Sequence, residues 1–157
     1  MSAMSPLSPR QKDVWSMLRK GLSISEVADR LDTSFQNVHQ TMKNAEAKLT
    51  KALMDTATTN NIQVQWIHPD DGMLYGYHPM LNLDTIVTYS LKHGIRVWYW
   101  HENPEEIPEN RFMRESKTYL LDLAEERGIK LREEDTQLHT GRLARIVFGQ
   151  LVPEVNK

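Results

Sequence analysis

Residues 7–49 read LSPRQKDVWSMLRKGLSISEVADRLDTSFQNVHQTMKNAEAKL, and this stretch contains the start signals of three helices. At each start, a serine or threonine is followed three residues later by glutamine or glutamate, which is the spacing of a capping box. The three pairs are Ser8 with Gln11, Ser23 with Glu26, and Thr33 with Gln36. Pro9 fits the first helical position, and Gly21 is a helix terminator. The stretch therefore predicts three helices within about fifty residues.

The third predicted helix carries a continuous apolar stripe. Its apolar residues recur every three or four positions and are Val38, Met42, Ala45, Leu49 and Leu53. One face of the helix is therefore expected to be buried. Only a tight turn fits between Leu31 and Ser34, and Ala28 is small enough to let the second and third helices approach closely. This spacing is typical of a helix-turn-helix.

The opposite face of the third helix is polar. Glutamine and asparagine can bond adenine, lysine can reach guanine or phosphate, and phenylalanine can meet a thymine methyl group. The candidate DNA-contacting residues, which include one in the first helix, are Arg10, Ser34, Phe35, Gln36, Asn37, His39, Gln40, Lys43, Asn44 and Lys48. A polar outer face is also common to soluble helices in general, so periodicity alone leaves both readings open.

Residues 7–49 resemble the helix-turn-helix shared by LuxR-type response regulators and region four of sigma factors. Matching features include the initial Leu-Ser-Pro-Arg, the Gly-Leu-Ser turn at residues 21–23, Glu-Val-Ala at 26–28, and Lys48-Leu49. The resemblance implies a regulator that binds double-stranded DNA. Thr41 departs from the usual histidine, and the fourth, dimerising helix of LuxR-type domains has no counterpart. These departures favour the sigma-like branch and a two-domain organisation similar to archaeal Tfx-type regulators.

Charge is divided unevenly along the chain. The net charge is −2, but residues 1–54 contain eight basic and five acidic residues, which leaves the remainder with an excess of acid. The first segment therefore suits an approach to phosphate, and the second does not. The absence of cysteine excludes disulfides, thiol catalysis and cysteine-ligated metals. Without a long apolar run or a signal peptide, we expect a cytoplasmic protein with no membrane partner.

The expected fold class is an all-α helix-turn-helix domain followed by a small α+β domain. The predicted boundaries are a DNA-binding domain at 1–54, a polar linker at 55–61 and a sensing or dimerisation domain at 62–157. In the second domain, residues 62–68 and 73–78 suggest a hairpin around the turn at 69–72. We further predict helices at 83–93 and 111–127, strands at 95–100, 129–132 and 142–148, and an acidic loop at 102–109.

The second domain is rich in aromatic residues. Those assigned to an effector pocket or a dimer interface are Trp66, Tyr75, Tyr77, Trp98 and Trp100. They can equally fill the core of a small sheet. Because a single helix-turn-helix contacts few base pairs, we expect a homodimer. Four histidines, His68, His78, His93 and His101, lie near carboxylates without a metal-ligand spacing, so neither a metal nor another cofactor is predicted.

Two other functions fit the same sequence. The second domain could be an enzyme or a ligand-binding domain that the helical domain localises to DNA or to a protein partner. No phosphate-binding loop, nucleophile motif or paired acid and base is present, so no catalytic residue is assigned. The principal hypothesis is therefore a transcription regulator that is not an enzyme.

Overall fold

The computed structural model describes residues 5–102 and 111–156, which form two compact units. The first unit extends through Trp100, and the second begins at His101. Helices at the amino terminus are followed by a four-stranded antiparallel sheet and further helices. The predicted class, an all-α helix-turn-helix followed by an α+β region, is confirmed. Most of the predicted acidic loop lies outside the described residues.

Three helices form the amino-terminal part, as the capping signals predicted. They are α1 (Pro9–Arg19), α2 (Ile24–Arg30) and α3 (Phe35–Thr59). Ser8 and Ser23 both form complete capping boxes. The third cap differs from the prediction: Ser34, not Thr33, caps α3, and its hydroxyl accepts a 3.1 Å hydrogen bond from the Asn37 backbone N–H. The predicted start of α3 is therefore wrong by one residue.

The segment predicted as a linker, 55–61, is not one. Helix α3 continues through Thr59, and Ala57 is buried. The hydroxyls of Thr56 and Thr58 donate to carbonyls one turn earlier, so these polar residues are accommodated within the helix. Asn61, with a φ of 58°, then turns the chain directly into the first strand. The first compact unit consequently contains both the helices and the sheet.

The four strands form a meander in the order β1-β2-β3-β4. They span β1 (Gln63–His68), β2 (Met73–His78), β3 (Leu83–Ser90) and β4 (Gly94–Tyr99). The predicted hairpin is confirmed, but the helix predicted at 83–93 is wrong, because that segment is β3. Its centre, from Thr85 to Thr88, consists of four β-branched residues, which favour a strand over a helix.

One face of the sheet packs against α3. Leu53 and Ala57 of the helix join Ile62, Leu74 and Val87 in one buried cluster. A second cluster contains Leu7, Trp15, Ala45, Leu49 and Tyr89. Within it, the rings of Trp15 and Tyr89 meet edge to face, with centroids 5.3 Å apart. The helices and the sheet therefore share a hydrophobic core.

The second unit contains α4 (Arg111–Glu126) and α5 (Thr140–Leu151), which pack against each other. The hydroxyl of Thr140 donates a 3.1 Å hydrogen bond to the Met113 carbonyl and so joins the starts of the two helices. The predicted helix at 111–127 is confirmed. The strands predicted at 129–132 and 142–148 are wrong, because the first segment is irregular and the second belongs to α5. The buried residues of α5 recur with helical spacing.

Candidate nucleic-acid interface

Helices α2 and α3 are joined by the tight turn that the sequence predicted. Asp32 adopts a φ of 52°, and the Thr33 backbone N–H donates a 3.0 Å hydrogen bond to the Ala28 carbonyl. Beneath this turn, Val27, Ala28 and Val38 form a buried cluster with Val14 of α1. The angle at which α3 leaves the turn is therefore fixed by backbone bonding and by packing.

Eight of the ten candidate DNA-contacting residues lie on α3, Ser34 caps this helix, and Arg10 stands on the first turn of α1. His39 is partly buried, and the other nine candidates are exposed: Arg10, Ser34, Phe35, Gln36, Asn37, Gln40, Lys43, Asn44 and Lys48. Phe35 is 52% exposed, which is unusual for a large apolar residue. The structure thus brings the α3 candidates together on one accessible surface, in its amino-terminal half. We call this surface, which carries the nine candidates between Ser34 and Lys48, the reading face.

Several side chains of the reading face have internal contacts. The Phe35 and His39 rings are nearly parallel, with centroids 6.3 Å apart. The Thr41 hydroxyl donates to the Asn37 carbonyl at 2.8 Å. The Gln40 Nε2 amide donates to Asn44 Oδ1 at 3.0 Å. These contacts limit the conformations that the side chains sample before any ligand arrives.

Lys48 connects the reading face to the start of α1. Its Nζ donates a 3.1 Å hydrogen bond to Gln11 Oε1, which also accepts from the backbone N–H of Ser8. The sequence revealed Gln11 as a capping residue but gave no sign of this second contact, which joins residues 37 positions apart.

An ion pair that the sequence did not reveal connects α1 to the hairpin. The Arg19 guanidinium pairs with the Asp71 carboxylate in the turn between β1 and β2. The same guanidinium lies 5.9 Å from the centroid of the Trp15 ring. Arg19 counted toward the positive charge of residues 1–54, but Asp71 neutralises it. No local pattern could have predicted this, because the partners are 52 residues apart.

Glu46 is a partly buried carboxylate of α3, between Asn44 and Lys48 in the chain. Burial raises its pKa, and the negative charge of Asp70 raises the pKa further. The positive charges of Arg19, His39 and Lys43 act in the opposite direction without cancelling the rise. The folded state therefore holds the proton of Glu46 more tightly than the unfolded state does.

This difference predicts a pH dependence of stability. As the pH rises from about 4.5 through the raised folded-state pKa of Glu46, the unfolded state loses the proton first, and the free energy of unfolding falls. The variant Glu46→Gln should lack this fall and be at least as stable as the wild type at neutral pH. Denaturant titrations between pH 4 and 7 measure the effect. A variant with an unchanged pH profile would contradict the assignment.

The aromatic candidates lie on the sheet face opposite α3. Trp66, Tyr75 and Trp98 occupy one row across the strands, with Ile86 between the last two. The Trp66 and Tyr75 ring centroids are 5.7 Å apart. In the next row, Tyr77 of β2 lies opposite Asp84 of β3. The Asp84 carbonyl accepts a 2.8 Å hydrogen bond from the backbone N–H of Trp100. Tyr75 is only 4% exposed, whereas the other four are partly buried.

His68 and His78, two of the four histidines, have different partners. The ring of His68 lies 4.5 Å from that of Trp66, and His78 Nδ1 accepts from the Leu81 backbone N–H. Within residues 5–102 and 111–156, no group of three metal-ligating side chains is assembled. None of the helices in these residues has the length and apolar character needed to cross a membrane.

The geometry of α1 to α3 defines a helix-turn-helix. Residues 5–55 match the family model of bacterial regulatory proteins, luxR family, so this segment is a LuxR-family helix-turn-helix domain. The match ends inside α3 and does not extend to the sheet. Comparison of the chain with curated proteins and with solved structures gives no significant match. The sigma-like and archaeal parts of the resemblance stay predictions.

Proposed function

We propose that this chain is a sequence-specific DNA-binding transcription regulator. The observation that carries the proposal is the reading face, which is exposed at the start of α3 in a LuxR-family helix-turn-helix. In a helix-turn-helix, the second helix enters the major groove and its amino-terminal residues meet base edges. We expect the protein to act in the cytoplasm, where the DNA of a bacterial or archaeal cell is found.

The candidate DNA-contacting residues suit two kinds of contact, with base edges and with phosphates. Gln36, Gln40 and Asn44 carry amides that can accept from and donate to base edges. Arg10 and Lys48 are exposed and positively charged, so they are suited to contacts with phosphates. The segment 35–48 is about 21 Å long at 1.5 Å per residue, which is sufficient to follow several base pairs.

A genomic footprint tests the proposal and identifies the regulated genes in the same experiment. Crosslinking of the intact protein to chromosomal DNA, followed by sequencing, should give discrete sites upstream of genes that share a short sequence. A uniform distribution along the chromosome would contradict sequence-specific binding. The experiment also separates the regulator from an enzyme or adaptor that uses the helical domain on another protein.

We also propose that the protein works as a homodimer. A good base contact contributes roughly 1–3 kcal/mol of discrimination, so one reading face is too small to select a site within a genome. Leu53 on the extension of α3 is buried against the sheet and cannot serve as a dimer contact. We favour the partly buried aromatics Trp66, Tyr77 and Trp98 as the dimer surface, because aromatic residues are enriched in interfaces.

Sedimentation of the intact chain measures this directly. We expect a dimer at tens of micromolar, about the range in which a working regulator should stay assembled. A monomer at that concentration would contradict the dimer and leave the aromatic row as core or as an effector pocket. Effector binding to Trp66 and Trp98 would then be tested by quenching of tryptophan fluorescence.

A further inference from the structure

Two amide side chains on the reading face are already joined to each other. Gln40 and Asn44 lie one helical turn apart, both are exposed, and Gln40 Nε2 donates to Asn44 Oδ1 at 3.0 Å. A glutamine amide has one acceptor oxygen and two N–H donors. Because one N–H is used within the pair, the Oε1 oxygen and the second N–H of this exposed side chain remain for a ligand.

This remaining pattern, one acceptor beside one donor, matches a single base. In the major groove, adenine presents the N7 acceptor and the N6 amino donor side by side. Guanine presents two acceptors, N7 and O6, so the Gln40 oxygen would face another oxygen. Thymine offers an acceptor beside a methyl group, and cytosine offers only a donor. Adenine is therefore the base that satisfies both free groups of Gln40.

We propose that Gln40 reads an adenine of the bound site and that Asn44 is the positioning residue that holds the Gln40 amide in the reading orientation. The proposal rests on the proposed DNA-binding function and adds to it a specific base and the division of labour between two residues. Asn44 positions the glutamine because its Oδ1 oxygen accepts from one Gln40 N–H, and adenine requires only the other N–H. A free glutamine would lose more rotamer freedom when it bound.

The test uses the full chain and duplexes carrying the site that it selects from a randomised pool. At the position read by Gln40, the wild type should prefer A·T over G·C by about fivefold to 150-fold, the range of one good bidentate contact. Gln40→Ala should abolish this preference, and Asn44→Ala should reduce it. Adding Asn44→Ala to Gln40→Ala should change nothing more at this position, because the two residues act as one unit.

A conservative variant separates positioning from a merely structural role. Asn44→Asp keeps an acceptor oxygen for Gln40, so it should restore the A·T preference while its negative charge weakens binding to all duplexes. By contrast, Gln40→Ala and Asn44→Ala should leave the salt dependence unchanged, because neither residue carries charge. Thermal unfolding of each variant, expected to match the wild type, verifies that α3 is intact.

The possible failures are distinguishable. If the folded wild type binds no duplex at low salt, the proposed function itself fails. If it binds but Gln40→Ala retains the full preference at every position, the reading of adenine is overturned. If Gln40→Ala loses the preference while Asn44→Ala discriminates like the wild type, the positioning role of Asn44 is overturned.

Discussion

Truncation of the chain after Met54 is expected to leave the helix-turn-helix without a stable fold. The cluster that contains Trp15 and Leu49 also contains Tyr89 of β3, which the truncation removes. Loss of the packing of one large buried side chain lowers the free energy of unfolding by about 2–5 kcal/mol. The total free energy of unfolding of a domain is only about 5–15 kcal/mol. Circular dichroism of the fragment should show weak helicity and no cooperative thermal transition.

A fragment that ends at Trp100 is the matched comparison. It keeps the whole first compact unit, so it should unfold cooperatively. If the fragment ending at Met54 melts as cooperatively as this one and at a similar temperature, the shared core is not what stabilises the helices. Binding studies should therefore use the intact chain, because an inactive short fragment would say nothing about its function.

Leu53→Ala should lower the free energy of unfolding by about 2–5 kcal/mol. Leu53 is fully buried between α3 and the sheet, and its truncation leaves a cavity in the core. Because the same helix carries the reading face, the temperature at which DNA binding is lost should fall together with the temperature of unfolding. Denaturant titration and binding measured at increasing temperature test the two effects.

The next residue along the helix provides the control. Met54 is 38% exposed, and Met54→Ala should change the free energy of unfolding by no more than about 0.5 kcal/mol. Equal losses in the two variants would mean that α3 is not anchored on the sheet through Leu53. The pair therefore distinguishes burial from a general effect of shortening a side chain on this helix.

Local signals were sufficient for the amino-terminal helices and for the first hairpin. The serines before α1 and α2 satisfy backbone groups within the same turn, so the neighbouring residues determine these helix starts. The β1–β2 hairpin was likewise predictable from its alternating residues and its turn. The polarity of the reading face was visible because the buried stripe of α3 determines which residues remain outside.

Several failures concern contacts between distant parts of the chain, whereas the helix wrongly predicted at 83–93 has a local explanation in its β-branched centre. The segment 55–61 was predicted as a linker because of polar residues such as Thr56, Thr58 and Thr59. Packing of Leu53 and Ala57 against the sheet keeps these threonines helical. The segment 142–148, in which Arg145 interrupts the apolar residues, suits a strand as well as a helix, and tertiary packing decided between them. The Arg19–Asp71 pair has the same origin, because nothing near either residue indicates its partner.

Helix α3 connects the sheet to the reading face. Both are attached to one uninterrupted helix, which exposes the reading face on one side of its amino-terminal half and packs Leu53 and Ala57 into a core with the sheet. Dimer formation or effector binding on the sheet, if it takes place as proposed, would act on the same helix that we propose enters the groove. A flexible linker would have separated the two.

Equilibrium binding of the intact chain to duplex DNA at increasing salt tests the central claim most directly. We predict measurable affinity at about 50 mM salt. The logarithm of the binding constant should decrease linearly with the logarithm of the salt concentration, and the magnitude of this slope should fall by about 0.9 for each phosphate contact removed. The variants Arg10→Gln and Lys48→Gln should each reduce that slope. A cooperatively folded chain without affinity at the lowest salt, or with affinity indifferent to salt and to both variants, would contradict the account.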